Sequence, residues 1–160
     1  ITKQAMFRVN RQTDYAIRML LSLAKREIGV RTSTTEIQQE MAIPHSYAQR
    51  VVANLARGSF IQTYPGRDGG MILARPAREI NLRKLLEHFE THLFVSDCSH
   101  TESTCPLGMD CPICTQWEKL QKIMAEELEQ INFEYLANSS KQIQKIPLLS
   151  LSSEKALELT

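Results

Sequence analysis

Residues 33–58 read STTEIQQEMAIPHSYAQRVVANLARG, and this stretch determines the fold. Ser33–Thr35 is a helix-capping cluster followed by an acidic residue, so a helix should begin there and run to about Met41. After a short break, Pro44 suits the first turn of a second helix. That helix should end at Arg57, because glycine follows it. Two helices joined by so short a turn predict a helix-turn-helix.

The second of these helices presents polar side chains near its N-terminus, whereas Val51, Val52 and Leu55 should face inward. In a helix-turn-helix this end normally meets base edges in the major groove of DNA. Glutamine and arginine are suited to reading adenine and guanine. A helical hairpin with merely solvated polar residues is the alternative. The candidate DNA-contacting residues of this helix are His45, Ser46, Tyr47, Gln49 and Arg50.

The next segment favours the DNA-binding interpretation. Residues 60–64 and 71–74 are β-prone and flank a turn-rich tip, Pro65–Gly70. A hairpin after a helix-turn-helix is typical of a winged helix. Arg67 at its tip is placed to contact phosphate or the minor groove.

Two further helices complete the predicted head. Helical spacing of apolar residues predicts one helix over Arg11–Ile28, capped by Thr13 or Asp14, and another over Leu82–Glu90, capped by Asn81. The predicted fold class is mainly α with a small β wing: a winged helix-turn-helix head followed by a long dimerisation helix.

Charge divides the 160 residues into two unlike halves. Residues 1–75 hold 11 Lys/Arg and 5 Asp/Glu, while residues 76–160 hold 8 and 13. A basic first half suits a polyanionic partner such as double-stranded DNA. No apolar run is long enough to span a membrane, and residues 1–5 lack the apolar region of a signal peptide, so we expect a cytoplasmic protein. Without a nucleotide fingerprint or a nucleophile–base pair, we do not expect an enzyme.

All four cysteines fall within 17 residues, as Cys98, Cys105, Cys111 and Cys114. Four thiolates can complete the coordination of an iron–sulfur cluster or of zinc. Cys-Pro pairs at residues 105–106 and 111–112 favour the cluster. Zinc, disulfides or free thiols are the alternatives, and disulfides are rare in the cytosol.

A long amphipathic helix should follow the cysteines, from about Thr115 to Ala137. Its apolar residues recur at three- and four-residue steps, a coiled-coil-like pattern that favours a homodimer. The predicted divisions are a DNA-binding head over 7–90, a cluster-binding loop over 91–114, the dimerisation helix over 115–138, and a tail over 139–160 that is either docked or mobile.

Three motifs resemble one known family. Residues 11–18 (RQTDYAIR), 43–47 (IPHSY) and 69–76 (GGMILARP) are similar to those of the IscR/NsrR-type winged-helix regulators, the Rrf-two superfamily. The resemblance implies a homodimeric transcriptional regulator that binds a pseudo-palindromic operator. The leading function is therefore a DNA-binding repressor or activator, with a repressor favoured, that senses iron–sulfur status, redox state or nitric oxide.

The resemblance also suggests the cluster ligands. Cys98, Cys105 and Cys111 match the family's three cluster cysteines. Cys114 stands where IscR-like members have a histidine, and Asp14 stands where NsrR-like members have an aspartate ligand, so Asp14 is the alternative fourth ligand. The similarity to IscR favours a 2Fe–2S cluster over 4Fe–4S. A structural zinc or a thiol-based redox switch is the alternative function.

Overall fold

The computed structural model describes residues 9–66, 69–90, 96 and 111–143, with side chains up to residue 139. The chain forms six helices and one hairpin within these residues. In order they are α1 (Arg11–Ala24), α2 (Thr34–Met41), α3 (His45–Arg57), β1 (Ile61–Tyr64), β2 (Gly70–Leu73), α4 (Leu82–Phe89), α5 (Pro112–Gln130) and α6 (Phe133–Ile143). A 3-10 turn, Ala77–Glu79, precedes α4. No helix in the described part is long and apolar enough to cross a membrane.

The helix-turn-helix has the predicted bounds. The Ser33 hydroxyl accepts a hydrogen bond from the Glu36 amide at 3.2 Å and begins α2. Ala42 ends α2 in the left-handed region at φ 51°, which turns the chain sharply. Pro44 then precedes α3, and Gly58 ends it. These local signals act within a few residues, so the sequence alone reveals them.

The wing is a two-stranded antiparallel sheet that pairs Ile61 with Leu73 and Tyr64 with Gly70. The segment before α2 joins it through a bridge from Thr32 to Met71, with N–O distances of 3.1 and 2.9 Å. This close approach requires glycine at position 70. The φ of Gly70 is +142°, and a Cβ there would lie 2.9 Å from the Thr32 carbonyl oxygen.

Helix α1 lies at the centre of the head, and its bounds correct two predictions. The cap is Asn10, whose side-chain oxygen accepts from the Thr13 amide at 2.9 Å, rather than Thr13 or Asp14. The helix ends at Ala24 instead of Ile28. At this end the Arg26 guanidinium donates to the Ser22 carbonyl at 2.7 Å and supplies a partner for the last turn.

The hydrophobic core collects residues from every helix except α5. Residues of α1, α2, α3, α4, α6 and the wing meet there. Burial of this apolar surface is the main stabilising contribution to the head. Members that are fully buried include Met19, Leu20, Ile37, Leu55, Leu85 and Phe133.

The prediction of one continuous helix over Thr115–Ala137 is wrong, because the chain breaks at Ile131 and Asn132. Ile131 is extended, at φ −81° and ψ 97°. Its carbonyl accepts from the Leu82 amide at 2.9 Å, and the Phe133 amide donates to the Ile80 carbonyl at 3.0 Å. Asn132 then caps α6 by accepting from the Tyr135 amide at 2.9 Å. These backbone bonds to the start of α4 interrupt the helix.

The break returns the chain to the head. Phe133 is 0% exposed and Ala137 3%, and α6 packs on α1. Helix α5 differs, because none of its 19 residues is buried. The head therefore takes part of its core from α6, whereas α5 contributes no buried residue.

Candidate nucleic-acid interface and cysteine site

The first two turns of α3 form an exposed polar surface. Ala48 and Val51 are buried on the opposite face, so His45, Ser46, Gln49 and Arg50 point outward. Tyr47 is half-buried, and its ring packs on Tyr15 of α1 with the centroids 5.1 Å apart. The structure thus brings four of the five predicted α3 residues together at the surface. The fifth, Tyr47, also anchors α3 on α1.

The wing adds a cation that the sequence did not suggest. The Arg31 guanidinium lies 3.9 Å from the centroid of the Tyr64 ring, a distance at which a cation is attracted to the ring face. Arg31 is exposed and precedes the Thr32 bridge to the wing. No local signal pairs two residues so far apart in the chain. Arg67, the predicted contact at the wing tip, lies outside the described residues.

An ion-pair network fixes α2 on α1. Arg26 Nη2 lies 2.8 Å from a Glu40 oxygen and 3.0 Å from a Glu36 oxygen, and the buried Ser22 hydroxyl donates to Glu40 at 2.8 Å. Burial alone would raise the pKa of Glu40. The hydrogen bonds from Ser22 and Arg26 outweigh burial and hold the pKa below its ordinary value. The network therefore helps to orient the helix-turn-helix.

Two of the four cysteines begin α5. Cys111 is the residue before its first turn, Pro112 opens the turn, and the Cys114 amide donates to the Cys111 carbonyl at 3.1 Å. Cys111 is buried, whereas Cys114 is half-buried with its sulfur 4.0 Å from a Glu118 oxygen. Cys98 and Cys105 lie outside the described residues. Within the residues that are described, no three His, Cys, Asp or Glu side chains form a metal-binding group.

Asp14, the alternative fourth ligand, lies in the first turn of α1. Its carboxylate pairs with Arg18 at 2.8 Å, and about half of its side chain is exposed. The preceding residue, Thr13, donates to Glu90 at the end of α4. Glu90 is also where the chain leaves for the cysteine-containing segment. The start of α1 is therefore held close to the start of that segment.

One side of α5 faces α4, and another is an exposed apolar face. Arg83 of α4 pairs with Glu129 of α5 at 3.0 Å and with Glu87 of its own helix at 2.9 Å. On α5, Ile113, Leu120 and Ile123 are each nearly half exposed, at 49, 48 and 47%. Such an apolar face is typical of a helix that packs against another chain.

A helix-turn-helix, a two-stranded wing and an exposed polar α3 define this chain as a winged-helix protein. Residues 9–139 match the Rrf2 family, described as iron-dependent transcriptional regulators. The chain belongs to this family. It is a transcriptional regulator that binds DNA and is not an enzyme, which confirms the predicted resemblance, fold class and DNA partner.

Several named regulators are similar to this chain in sequence or in fold. The HTH-type transcriptional regulator NsrR of Halalkalibacterium halodurans is 27% identical over 135 residues, covering 84% of this chain and 92% of the relative. CymR, the global cysteine regulator of B. subtilis, has the same fold at a TM-score of 0.68 with 20% identity, covering 83% of this chain and 98% of CymR. T. potens IscR also superimposes at 0.68 with 21% identity, covering 86 and 91%.

Proposed function

We propose that this regulator is a homodimeric repressor that binds a pseudo-palindromic operator, and that a cysteine-bound iron–sulfur cluster controls its affinity. The observation that carries the proposal is the position of Cys111 and Cys114. Cys111 directly precedes α5 and Cys114 lies in its first turn, at the start of the helix with the exposed apolar face. A change at these sulfurs acts directly on the helix proposed to join the two subunits.

DNA recognition is assigned to α3 and the wing. Gln49 and Arg50 are placed to read base edges, and the partner subunit would present a second α3 about 34 Å away, one turn of the duplex. Arg31 and Arg67 would contact phosphates beside this surface. Such contacts position the protein without reading sequence.

The DNA assignment is tested with a duplex that the wild-type protein selects from a random pool. Gln49→Ala and Arg50→Ala should each relax preference at one base pair, costing about 1–3 kcal/mol. Arg67→Ala should weaken binding to all duplexes alike. It should also reduce the slope of log affinity against log salt concentration by about one. Gln130→Ala, an exposed glutamine on α5, is the control. Unchanged selectivity in both α3 variants would contradict the assignment.

The cluster is assigned to Cys98, Cys105, Cys111 and Cys114. Cys111 and Cys114 are three positions apart across the start of α5, a spacing that suits neighbouring ligands of one cluster or metal. The family description, iron-dependent, and the similarity to proteins named NsrR and IscR support iron over zinc. When bound, an iron–sulfur cluster supplies sensitivity to oxidation and to nitric oxide. The similarity to IscR favours 2Fe–2S over 4Fe–4S.

Cys114 and Asp14 are the two candidates for the fourth ligand. Cys114 supplies a soft thiolate, whereas Asp14 is a hard oxygen ligand that is already paired with Arg18 at 2.8 Å. We assign the position to Cys114, since Asp14 would first have to give up this ion pair. Asp14 as a ligand would leave Cys114 as a spare thiol.

An absorption spectrum and metal analysis of anaerobically purified protein test the cluster. We expect a visible chromophore and iron in the wild type, retained in Asp14→Ala and lost in Cys114→Ala. The reverse pattern would make Asp14 the fourth ligand. A colourless protein with one zinc per chain would replace the cluster with a structural zinc. A colourless, metal-free protein whose cysteines oxidise reversibly would indicate a thiol switch.

A further inference from the structure

The last turn of α4 completes the N-terminal cap of α1. One oxygen of the Glu90 carboxylate accepts from the Asn10 amide at 3.0 Å and from the Thr13 hydroxyl at 2.6 Å. The other oxygen accepts from the Asn10 side-chain amide at 2.9 Å. In an ordinary capping box, the carboxylate that binds the cap amide comes from the third residue of the same helix. Here that residue is Thr13, and the carboxylate comes from 80 positions away.

The same turn of α4 contacts the end of α3. His88 Nε2 lies 3.0 Å from the Asn54 carbonyl oxygen, and because a carbonyl can only accept, this nitrogen carries the proton. The His88 ring packs edge-on against Phe60, which precedes β1, with the centroids 5.5 Å apart. The Asn54 carbonyl also accepts from Gly58 at 3.0 Å, so His88 binds the last turn of the DNA-reading helix.

Position in the chain gives these contacts their significance. Glu90 directly follows α4, and Cys98 comes only eight positions later. The cysteine-containing segment is therefore joined to the head at Glu90. Residues 88 and 90 are only two positions apart at the end of α4, so a displacement of Glu90 also shifts His88 against α3.

We propose that Glu90 is a positioning residue that couples the cysteine site to the DNA-binding surface, acting through Asn10 and Thr13 on one side and through His88 on the other. The inference rests on the proposed function, since it requires a cysteine site with two states. The contact is suited to switching. Three short hydrogen bonds converge on one carboxylate, and hydrogen bonds weaken steeply beyond about 3.2 Å, so a shift of about 1 Å releases all three. Glu90 is then either bound to α1 or released from it.

The test is the ratio of operator affinities with and without the cluster, because a coupling residue alters this ratio and a merely structural residue does not. The probe is a duplex selected by the wild-type protein from a random pool. Allosteric ratios are typically about 5–150. Glu90→Gln turns one acceptor into a donor facing the Asn10 amide, and we expect the ratio to fall to within about twofold of one.

Two sets of variants isolate the contact. Glu87→Gln on the same helix makes the same change in charge but loses only the pair with Arg83, so its ratio should equal that of the wild type. Thr13→Ser keeps the hydroxyl and should keep the ratio, whereas Thr13→Val should lower it. If Glu90→Gln does not fold, the Thr13 pair still provides the test.

The outcomes separate this inference from the proposed function. If the wild-type protein has no chromophore, the proposed function is wrong, and the inference fails with it. A coloured Glu90→Gln variant with the wild-type ratio overturns the inference alone. Equal weakening of both affinities also overturns it, since Glu90 would then only stabilise the head. Non-additive ratios in the Thr13→Val/Glu90→Gln double variant would confirm that the two residues act as one contact.

Discussion

Helices α1 and α5 are both amphipathic but differ in what covers them. Seven of the 14 residues of α1 are buried, and none of the 19 residues of α5 is. The apolar face of α1 is covered by its own chain, through α2, α3, α4, α6 and the wing. The apolar face of α5 is left uncovered in a single subunit. An amphipathic pattern therefore identifies a face that must pack, but it does not identify the packing partner.

The largest effect is expected where the chain returns from the exposed helix to the core. Phe133 is 0% exposed, so Phe133→Ala should lower the free energy of unfolding by about 3–5 kcal/mol. Tyr135, 61% exposed on the same helix, is the control, and Tyr135→Ala should change it by less than about 0.5 kcal/mol. Urea denaturation measures both. Equal effects of the two substitutions would mean that α6 is not part of the head core.

Two leucines compare α1 with α5 directly. Leu20→Ala opens a cavity in the head and should cost about 2–5 kcal/mol at every protein concentration, because its own chain buries Leu20. Leu120→Ala should destabilise the protein only at concentrations where subunits associate. Thermal unfolding over a hundredfold range of concentration distinguishes them. A Leu120→Ala effect that is independent of concentration would mean that α5 packs on its own subunit.

A charge on the exposed face of α5 gives the next effect. Leu120→Glu places a carboxylate in the proposed interface and should weaken association at least tenfold, about 1.4 kcal/mol. Lys119→Gln makes the same change in net charge on an adjacent residue of α5 and should leave the dimer intact. Light scattering at micromolar concentration measures the mass. A monomeric wild type would contradict the dimer itself.

The smallest effect concerns the ion pair between Glu40 of α2 and Arg26, which follows the end of α1. Because the folded pKa of Glu40 lies below its ordinary value of 4.5, its ion pair stabilises the protein above that pH, and this stability is lost as the pH falls through the folded pKa. With its side chain 36% exposed, we expect Glu40→Gln to cost only about 0.5–1 kcal/mol at pH 7. The difference in the free energy of unfolding between this variant and the wild type should become smaller at acidic pH. Glu127→Gln, at an exposed position of α5, is the control and should change the stability at pH 7 by less than about 0.5 kcal/mol.

The sequence predicted what local signals determine. The Ser33 cap, Pro44 and Gly58 set the bounds of α2 and α3, and helical spacing identified the exposed positions 45, 46, 49 and 50. Each of these signals acts within a few residues. They suffice for the helix-turn-helix and for most of the surface that is proposed to face DNA.

Apart from the Asn10 cap, which lies three residues from Thr13, the missed features named here depend on residues far apart in the chain. The break at Ile131 is made by backbone bonds to Ile80 and Leu82, and the α1 cap is completed by Glu90. The stacking of Arg31 on Tyr64 likewise requires the wing to be folded. No periodicity or capping motif encodes such pairings, because each partner is ordinary in its own local context.

The Ile131–Asn132 break also sets the mechanics of α5. At a rise of about 1.5 Å per residue, the 19 residues of α5 form a rod about 28 Å long. The backbone bonds of residues 131 and 133 pin one end of this rod to the head, and Cys111 and Cys114 lie at the other. The rod can therefore pivot about its pinned end. A rotation of 5° about the pinned end moves the cysteine end by about 2.5 Å, roughly half the pitch of a helix.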